Sequence, residues 1–226
     1  MATFALIHGG GSSSWDWHLV APALQGAGHR TVAVDLPVED PSAGWDDYVD
    51  TVAAGVGDAP QRPLVVVGHS LGAFTAPLAA AHLDADLVVL LAGMVPAPGE
   101  TFGQWWERTG YVSTGDDDVF YRDVTPALAA EARAHARGEE SAALAQPWPL
   151  SAWPTAPTRF ALFRDDRMFE PVFMRRLARE RLGLDADELP GGHYALISRP
   201  DDVADYLLRL VSPALPGTAS AAGSPS

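Results

Sequence analysis

The strongest constraint on this chain is the stretch at residues 64–72, where a short apolar run ends in Gly-x-Ser-x-Gly. The β-branched run predicts a buried strand, and the alanine-rich pattern over residues 73–82 predicts a helix directly after it. A serine in the tight turn between them needs neighbours without Cβ atoms, because the strand and the helix must approach closely. Ser70 is therefore predicted at the C-terminal edge of a sheet and beside a helix N-terminus, which favours developing negative charge. This makes Ser70 a candidate nucleophile.

The rest of the chain predicts an α/β fold with about six mostly parallel strands. Apolar runs recur at residues 3–7, 31–36, 64–67, 86–92 and 158–163, with a weak sixth run at 187–189, and helical patterns separate them. The runs are apolar throughout rather than alternating, which is typical of a parallel sheet covered by helices on both faces. The 226 residues suffice for one such domain.

The pattern changes between residues 96 and 155, where aromatic side chains and prolines replace the β-branched runs. This stretch is too long for a simple connection, and its aromatic content argues against disorder. We therefore predict a core of residues 1–95 and 156–211 with an inserted helical cap at 96–155. Residues 212–226 are mostly Pro, Ala, Gly and Ser, which predicts a flexible tail.

A serine nucleophile requires a base that takes its proton and a third group that holds the base in one tautomer. On a parallel sheet both are expected at the C-terminal ends of later strands, in the order serine, acid, histidine. His193 lies in a glycine turn after the predicted strand 187–189 and is the candidate base. Asp165 and Asp166 both follow the strand 158–163, and either fits the position of the acid.

Donors for an oxyanion are expected from two places. The elbow geometry assigns one to the N–H of Leu71. The second should come from the loop at residues 8–11, whose three consecutive glycines let backbone N–H groups face a ligand without side-chain interference. We interpret His8 itself as a structural residue of that loop.

Composition excludes several classes of function. Binding to nucleic acids or anionic membranes requires a basic surface, and the net charge of −14 argues against both as partners. The chain has no cysteine for a disulfide or thiolate chemistry, and its histidines lack metal-ligand spacing, so no metal is expected. No secretory signal is visible, and a cytoplasmic location is the expectation. The sequence is compatible with a homodimer.

Together these motifs resemble the α/β-hydrolase superfamily over nearly the whole chain, and more narrowly its small branch of methyl-ester esterases and hydroxynitrile lyases. The residues that carry the resemblance are His8-Gly9-Gly10, Trp15-Asp16-Trp17, Gly68-His69-Ser70-Leu71-Gly72, Asp166-Arg167 and His193. The resemblance implies that Asp166 is the acid and that Gly10 and Leu71 donate to the oxyanion. The lyases of the branch carry a threonine and a lysine where this chain has Gly9 and Tyr194, which points to ester hydrolysis.

The sequence thus predicts a serine hydrolase that cleaves small to medium apolar carboxylic esters without a cofactor. Candidate substrate-binding residues are Gly9, His69, Trp105, Trp106, Trp148, Trp153 and Tyr194; packing within the cap is the alternative role for the four tryptophans. A thioesterase or lactonase would use the same residues. A lyase, a cofactor-free cyclase or a small-molecule receptor on this fold also fits the sequence.

Overall fold

The computed structural model describes residues 1–112 and 118–212, and in them six parallel strands form one sheet in the order β2-β1-β3-β4-β5-β6. The strands are β1 (Thr3–Ile7), β2 (Arg30–Val34), β3 (Leu64–His69), β4 (Leu87–Leu91), β5 (Thr158–Phe163) and β6 (Asp187–Leu189). β1, β3 and β4 form the centre of the sheet, and the side chains of β1 and β3 are buried along their whole length. The predicted α/β fold with a parallel six-stranded sheet is confirmed.

Helices connect the strands and cover the sheet. They are α1 (Val20–Gly26), α2 (Trp45–Val56), α3 (Gly72–His82), α4 (Phe102–Thr109), α5 (Asp118–Tyr121), α6 (Pro126–Ala134), α7 (Pro171–Leu182), α8 (Ala195–Ser198) and α9 (Pro200–Val211). Right-handed crossovers between parallel strands place α1 on the opposite face of the sheet from α2 and α3. In agreement with this, α1 packs against α9, whereas α2 packs against α3.

One helical pattern is divided in two. The apolar spacing over residues 15–24 predicts a single helix, whereas the structure has a 3-10 turn at Ser14–Trp17 followed by α1. Pro22 accounts for the break, because it has no N–H to donate to the carbonyl of His18 and is tolerated only in the first turn of a helix.

Residues 96–155, hereafter the insertion, run between β4 and β5 and contain α4, α5, α6 and a 3-10 turn at Ala142–Ala145. Glu100 is fully buried, and its carboxylate accepts two hydrogen bonds from the Arg181 guanidinium of α7 at 2.8 and 3.0 Å. This charge-assisted pair fixes the start of the insertion to the core. The division into core and cap remains a prediction, and the predicted tail lies outside the described residues from 213 onward.

Two glycines set the distance between the sheet and α3. A Cβ atom on Gly72 would lie 2.5 Å from the carbonyl oxygen of His8, and a Cβ on Gly68 would lie 2.7 Å from the carbonyl oxygen of Gly72. These neighbours are backbone atoms, which cannot rotate away as a side chain would. The close approach predicted for the Gly-x-Ser-x-Gly turn is therefore present, and both glycines are required for it.

Replacing Gly72 with alanine should lower the free energy of unfolding by about 3 kcal/mol, because the new methyl group forces two backbone segments apart. Urea unfolding followed by circular dichroism measures the loss. Gly26→Ala is the matched control, because nothing lies within 4 Å of a Cβ at that position. Equal stability of the two variants would contradict the packing argument.

Candidate active site

Ser70 occupies the turn between β3 and α3 in a strained conformation. Its φ of 51° is positive, which costs a non-glycine residue about 1–3 kcal/mol. Backbone hydrogen bonds hold it there: the Ser70 N–H donates to the Leu91 carbonyl at 3.0 Å, and the Ser70 carbonyl accepts from Met94 at 2.9 Å. The turn directs the hydroxyl away from the sheet and toward the loop after β6.

The Ser70 hydroxyl donates to Nε2 of His193 at 3.1 Å, and Nδ1 of His193 donates to Oδ2 of Asp166 at 2.8 Å. His193 is 1% and Asp166 is 2% exposed, so both bonds lie out of water. The structure thus brings together the predicted serine, histidine and acid from the ends of three different strands. The series places a proton acceptor at the serine hydroxyl and a carboxylate behind it.

Asp166, and not Asp165, contacts the histidine. Oδ1 of Asp166 accepts the backbone N–H groups of Met168 and Phe169 at 2.8 and 2.9 Å, which fixes the carboxylate and leaves Oδ2 for His193. The Asp165 side chain is more than half exposed, and it accepts a hydrogen bond from the Gly191 N–H at 3.2 Å. The choice of Asp166 that the family resemblance implied agrees with this geometry.

The loop after β1 faces the turn that carries Ser70. A Cβ on Gly10 would lie 3.0 Å from Cδ2 of Leu71, so the two predicted donors are neighbours in space. Among the described residues, neither the Gly10 nor the Leu71 N–H donates a hydrogen bond to a protein acceptor. That these two N–H groups bind a ligand oxygen remains a prediction.

His8 is a structural residue of this loop, as predicted. Its Nδ1 donates to the Gly9 carbonyl at 2.8 Å, and its Nε2 accepts from the Leu36 N–H at 3.2 Å. Burial lowers the pKa of His8 below its ordinary value, so the ring stays neutral and can make both bonds.

His69 and Gly9, two of the predicted substrate-binding residues, lie next to Ser70. Nε2 of His69 donates to the backbone carbonyl of His193 at 2.9 Å, and its buried Nδ1 has no partner among the described residues. Burial, helped by nearby His193, lowers the pKa of His69 well below its ordinary value and keeps the ring neutral. A Cβ on Gly9 would meet Cβ of Ser70 at 3.2 Å. Contact of either residue with substrate remains a prediction.

Three of the four predicted cap tryptophans connect the insertion to the core. Trp105 and Trp148 are fully buried; their indole N–H groups donate to the carbonyls of Val95 and Phe74 at 3.0 and 2.9 Å. Trp153 donates to the Thr158 hydroxyl at 2.9 Å and stacks on Trp148. These contacts favour the packing role that the sequence left open for these residues.

Trp106 and Tyr194 both belong to the ring cluster around His193. Trp106 packs on Phe169, whose ring meets His193 edge-on with the ring centres 5.4 Å apart. Tyr194 is buried and stacks on Tyr121 of the insertion at 5.0 Å. That these two residues contact a substrate remains a prediction.

Sequence reasoning missed a buried carboxyl next to this site. Asp16, the middle residue of Trp15-Asp16-Trp17, is 3% exposed and accepts a hydrogen bond from the Ser12 hydroxyl. Burial raises the pKa of Asp16 from 3.8 to about 7, although the Ser12 hydrogen bond and the proximity of His193 oppose that rise. Its only signal in the sequence is a charged residue between two tryptophans.

Residues 1–112 and 118–212 contain no cluster of three or more His, Cys, Asp or Glu side chains that could hold a metal ion. None of their helices combines the length and the apolar character needed to cross a bilayer.

A family model described as the alpha/beta hydrolase family matches residues 4–206, and the chain therefore belongs to this family. Its curated relatives include the probable esterase PIR7A of Oryza sativa, 27% identical over 92% of this chain and 96% of that protein. Norfluorocurarine synthase 1 of a Strychnos species is 30% identical over 41% of this chain and 39% of that protein. A crystal structure of polyneuridine aldehyde esterase superposes with a TM-score of 0.77 over 94% of this chain and all of that chain, at 19% identity. The family predicted from the motifs is confirmed.

The raised pKa of Asp16 predicts a specific pH dependence of stability. Between pH 3.8 and about 7 the folded protein holds a proton on Asp16 that the unfolded chain has lost, so stability falls as the pH rises through this window. Asp16→Asn removes that loss. When the pH is raised from 5 to 8, the free energy of unfolding of the variant should therefore rise by about 3 kcal/mol relative to that of the parent protein.

Urea unfolding at both pH values measures this relative gain, with exposed Asp50→Asn as the control. A constant difference between the parent protein and Asp16→Asn would show that Asp16 titrates normally.

Proposed function

We propose that this protein is a serine esterase that cleaves small to medium apolar carboxylic esters through an acyl-enzyme. The observation that carries the proposal is the buried series from the Ser70 hydroxyl through His193 to Asp166, with heavy-atom distances of 3.1 and 2.8 Å. Both distances lie within the range over which a base takes a proton from its nucleophile. Membership of a family whose relatives include named esterases supports the same reaction.

In the first half of the reaction Ser70 Oγ forms a bond to the acyl carbon while its proton moves to Nε2 of His193. Asp166 stabilises the imidazolium that forms, and it holds the tautomer in which Nε2 is the free acceptor. The protonated histidine then gives its proton to the oxygen of the leaving alcohol as the ester C–O bond breaks. The acyl group remains on Ser70.

The second half repeats these steps with water. His193 takes a proton from a water molecule, whose oxygen attacks the acyl carbon, and then returns the proton to Ser70 Oγ as the acid leaves. In both halves negative charge develops on the former carbonyl oxygen. The free N–H groups of Gly10 and Leu71 would bind that oxygen, and the α3 dipole has the matching sign. None of these steps needs a cofactor.

The surroundings of His193 favour an apolar substrate. Phe120 of the insertion and Phe169 after β5 both meet the His193 ring edge-on, with ring centres 5.5 and 5.4 Å apart. Leu71 lies beside the loop at residues 8–11, hereafter the oxyanion loop. Aromatic and aliphatic walls of this kind bind an acyl or alkyl group by removing it from water, and they provide no partner for a charged one.

Removing the nucleophile should abolish turnover. Ser70→Ala is expected to lower kcat for p-nitrophenyl butyrate by about four orders of magnitude or more, with circular dichroism unchanged. A fluorophosphonate probe should label the parent protein and not the variant. Undiminished turnover in Ser70→Ala would overturn the mechanism.

The two neighbouring aspartates give a matched pair for the role of the acid. Asp166→Asn should lower kcat by about 10⁴-fold, because an amide NH₂ at Oδ2 would select the wrong histidine tautomer. Asp165→Asn should remain within about threefold of the parent enzyme, because an amide oxygen can still accept the Gly191 N–H. Equal losses in the two variants would contradict the assignment.

A second candidate is non-hydrolytic chemistry at the same site, in which His193 moves the proton and Ser70 does not form a covalent bond. The similarity to a relative named as a synthase rather than an esterase supports such chemistry. Substrate conversion that persists in Ser70→Ala and disappears in His193→Ala would identify it. Thioesters and lactones would react by the mechanism above, and a panel of all three substrate classes separates these activities.

A further inference from the structure

We propose that two carboxylates of the insertion, Glu139 and Asp123, are positioning residues for the two core loops that carry Gly10 and His193. The role assigned to those loops rests on the proposed function. Neither carboxylate is hydrogen-bonded to Ser70 or His193 in the described structure. Each instead accepts a hydrogen bond from the backbone N–H of a glycine that directly adjoins one of the two functional residues.

Glu139 holds the oxyanion loop. Its Oε1 accepts the Gly11 N–H at 2.7 Å, and the Gly11 carbonyl accepts the Arg137 N–H at 3.2 Å. The insertion therefore uses both polar backbone groups of Gly11, which stands at a φ of 66°, a conformation that glycine adopts without strain. Because Gly10 precedes Gly11, these two bonds set the direction in which the Gly10 N–H points.

The segment that carries Glu139 is itself fixed to the core. The N–H groups of Glu140 and Ser141 both donate to the Val38 carbonyl, at 2.8 and 3.0 Å. The Arg137 guanidinium donates to the Leu36 carbonyl at 2.9 Å. The chain is thus held on both sides of Glu139, and the Glu139 side chain accepts the Gly11 N–H of the oxyanion loop at 2.7 Å.

Asp123 holds the loop that carries His193 in the same way. Its Oδ2 accepts the Gly192 N–H and the Ser198 hydroxyl, both at 2.7 Å. The fit is close, because a Cβ on Gly192 would lie 2.5 Å from Oδ1 of Asp123 and would displace that carboxylate. His193 follows Gly192, so this contact fixes the backbone from which the imidazole projects.

Other contacts also keep the insertion attached to the core. The buried Glu100–Arg181 pair and the indole hydrogen bonds of Trp105 and Trp148 do that at other places. Removing the Glu139 or the Asp123 carboxylate should therefore loosen one loop and leave the fold in place. A loosened donor or base weakens binding of the transition state more than binding of the substrate.

Kinetics provides the first test, using Glu139→Ala and Asp123→Ala with p-nitrophenyl butyrate as substrate. We expect kcat to fall about 10- to 100-fold in each variant while KM changes by less than about threefold. Glu139→Gln and Asp123→Asn keep an acceptor oxygen and should recover most of the lost kcat. Exposed Glu107→Ala, also in the insertion, is the control and should leave kcat unchanged.

An oxyanion mimic sharpens the test for Glu139. A trifluoromethyl ketone forms a hemiketal oxyanion on a serine, so its inhibition constant should rise in Glu139→Ala by the factor that kcat falls. Affinity for butyramide, which is uncharged and forms no oxyanion, should change by less than about threefold. Equal weakening of both ligands would assign Glu139 to ordinary substrate binding and overturn its positioning role.

Hydrogen–deuterium exchange gives a readout that does not depend on activity. Glu139→Ala should speed exchange in a peptide containing Gly11 and leave a peptide containing Gly192 unchanged, and Asp123→Ala should do the reverse. Unchanged exchange, or faster exchange of both peptides in both variants, overturns the inference. If the parent protein hydrolyses no ester, the proposed function fails, and this crossed exchange pattern still decides whether the carboxylates hold the loops.

Discussion

The close contact between the N-terminus of α3 and the end of β1 is the constraint on which the rest of the site depends. Gly72 packs directly on the carbonyl oxygens of Ile7 and His8, with no room for a methyl group. The contact presses the turn that carries Ser70 against the glycine loop, so Leu71 and Gly10 become neighbours. It also accounts for the positive φ of Ser70, because only a tight turn joins a central strand to a helix at this distance. The packing energy of α3 against the sheet thereby offsets the strain in the Ser70 backbone.

The sequence was sufficient for the sheet and for two of the three side chains in the hydrogen-bonded series. Parallel strands buried on both faces leave uninterrupted apolar runs, and these runs give the order of the strands along the chain. Because the carboxyl ends of parallel strands meet at one edge, Ser70 and His193 could be placed together without coordinates. Asp165 and Asp166 could not be separated by pattern, since they are adjacent and chemically identical. Their difference lies in a local turn, in which Met168 and Phe169 donate their N–H groups to Asp166.

The insertion was the least predictable part, for a physical reason. Its contacts with the core depend on single side chains rather than on a repeating face. Glu139 is hydrogen-bonded to Gly11, 128 positions away in the sequence, and Asp123 is hydrogen-bonded to Gly192, 69 positions away. No periodicity marks such residues, so they resemble any solvated carboxylate in the sequence. The tryptophans illustrate the converse. Their apolar bulk predicted either a pocket wall or packing, and only the partners of their indole N–H groups in the structure favour packing for Trp105 and Trp148.

Burial also affects the carboxyl groups close to the site. An ionised carboxylate beside an oxyanion would oppose the charge that the proposed reaction develops, and the low dielectric of the interior would strengthen that opposition. The same low dielectric raises the pKa of Asp16 to about 7, which reduces the negative charge on that group, and it raises the pKa of Glu139 above its ordinary value. Glu139 can still accept the Gly11 N–H when protonated, because its carbonyl oxygen remains an acceptor. A buried carboxyl group can therefore hold the oxyanion loop in either protonation state.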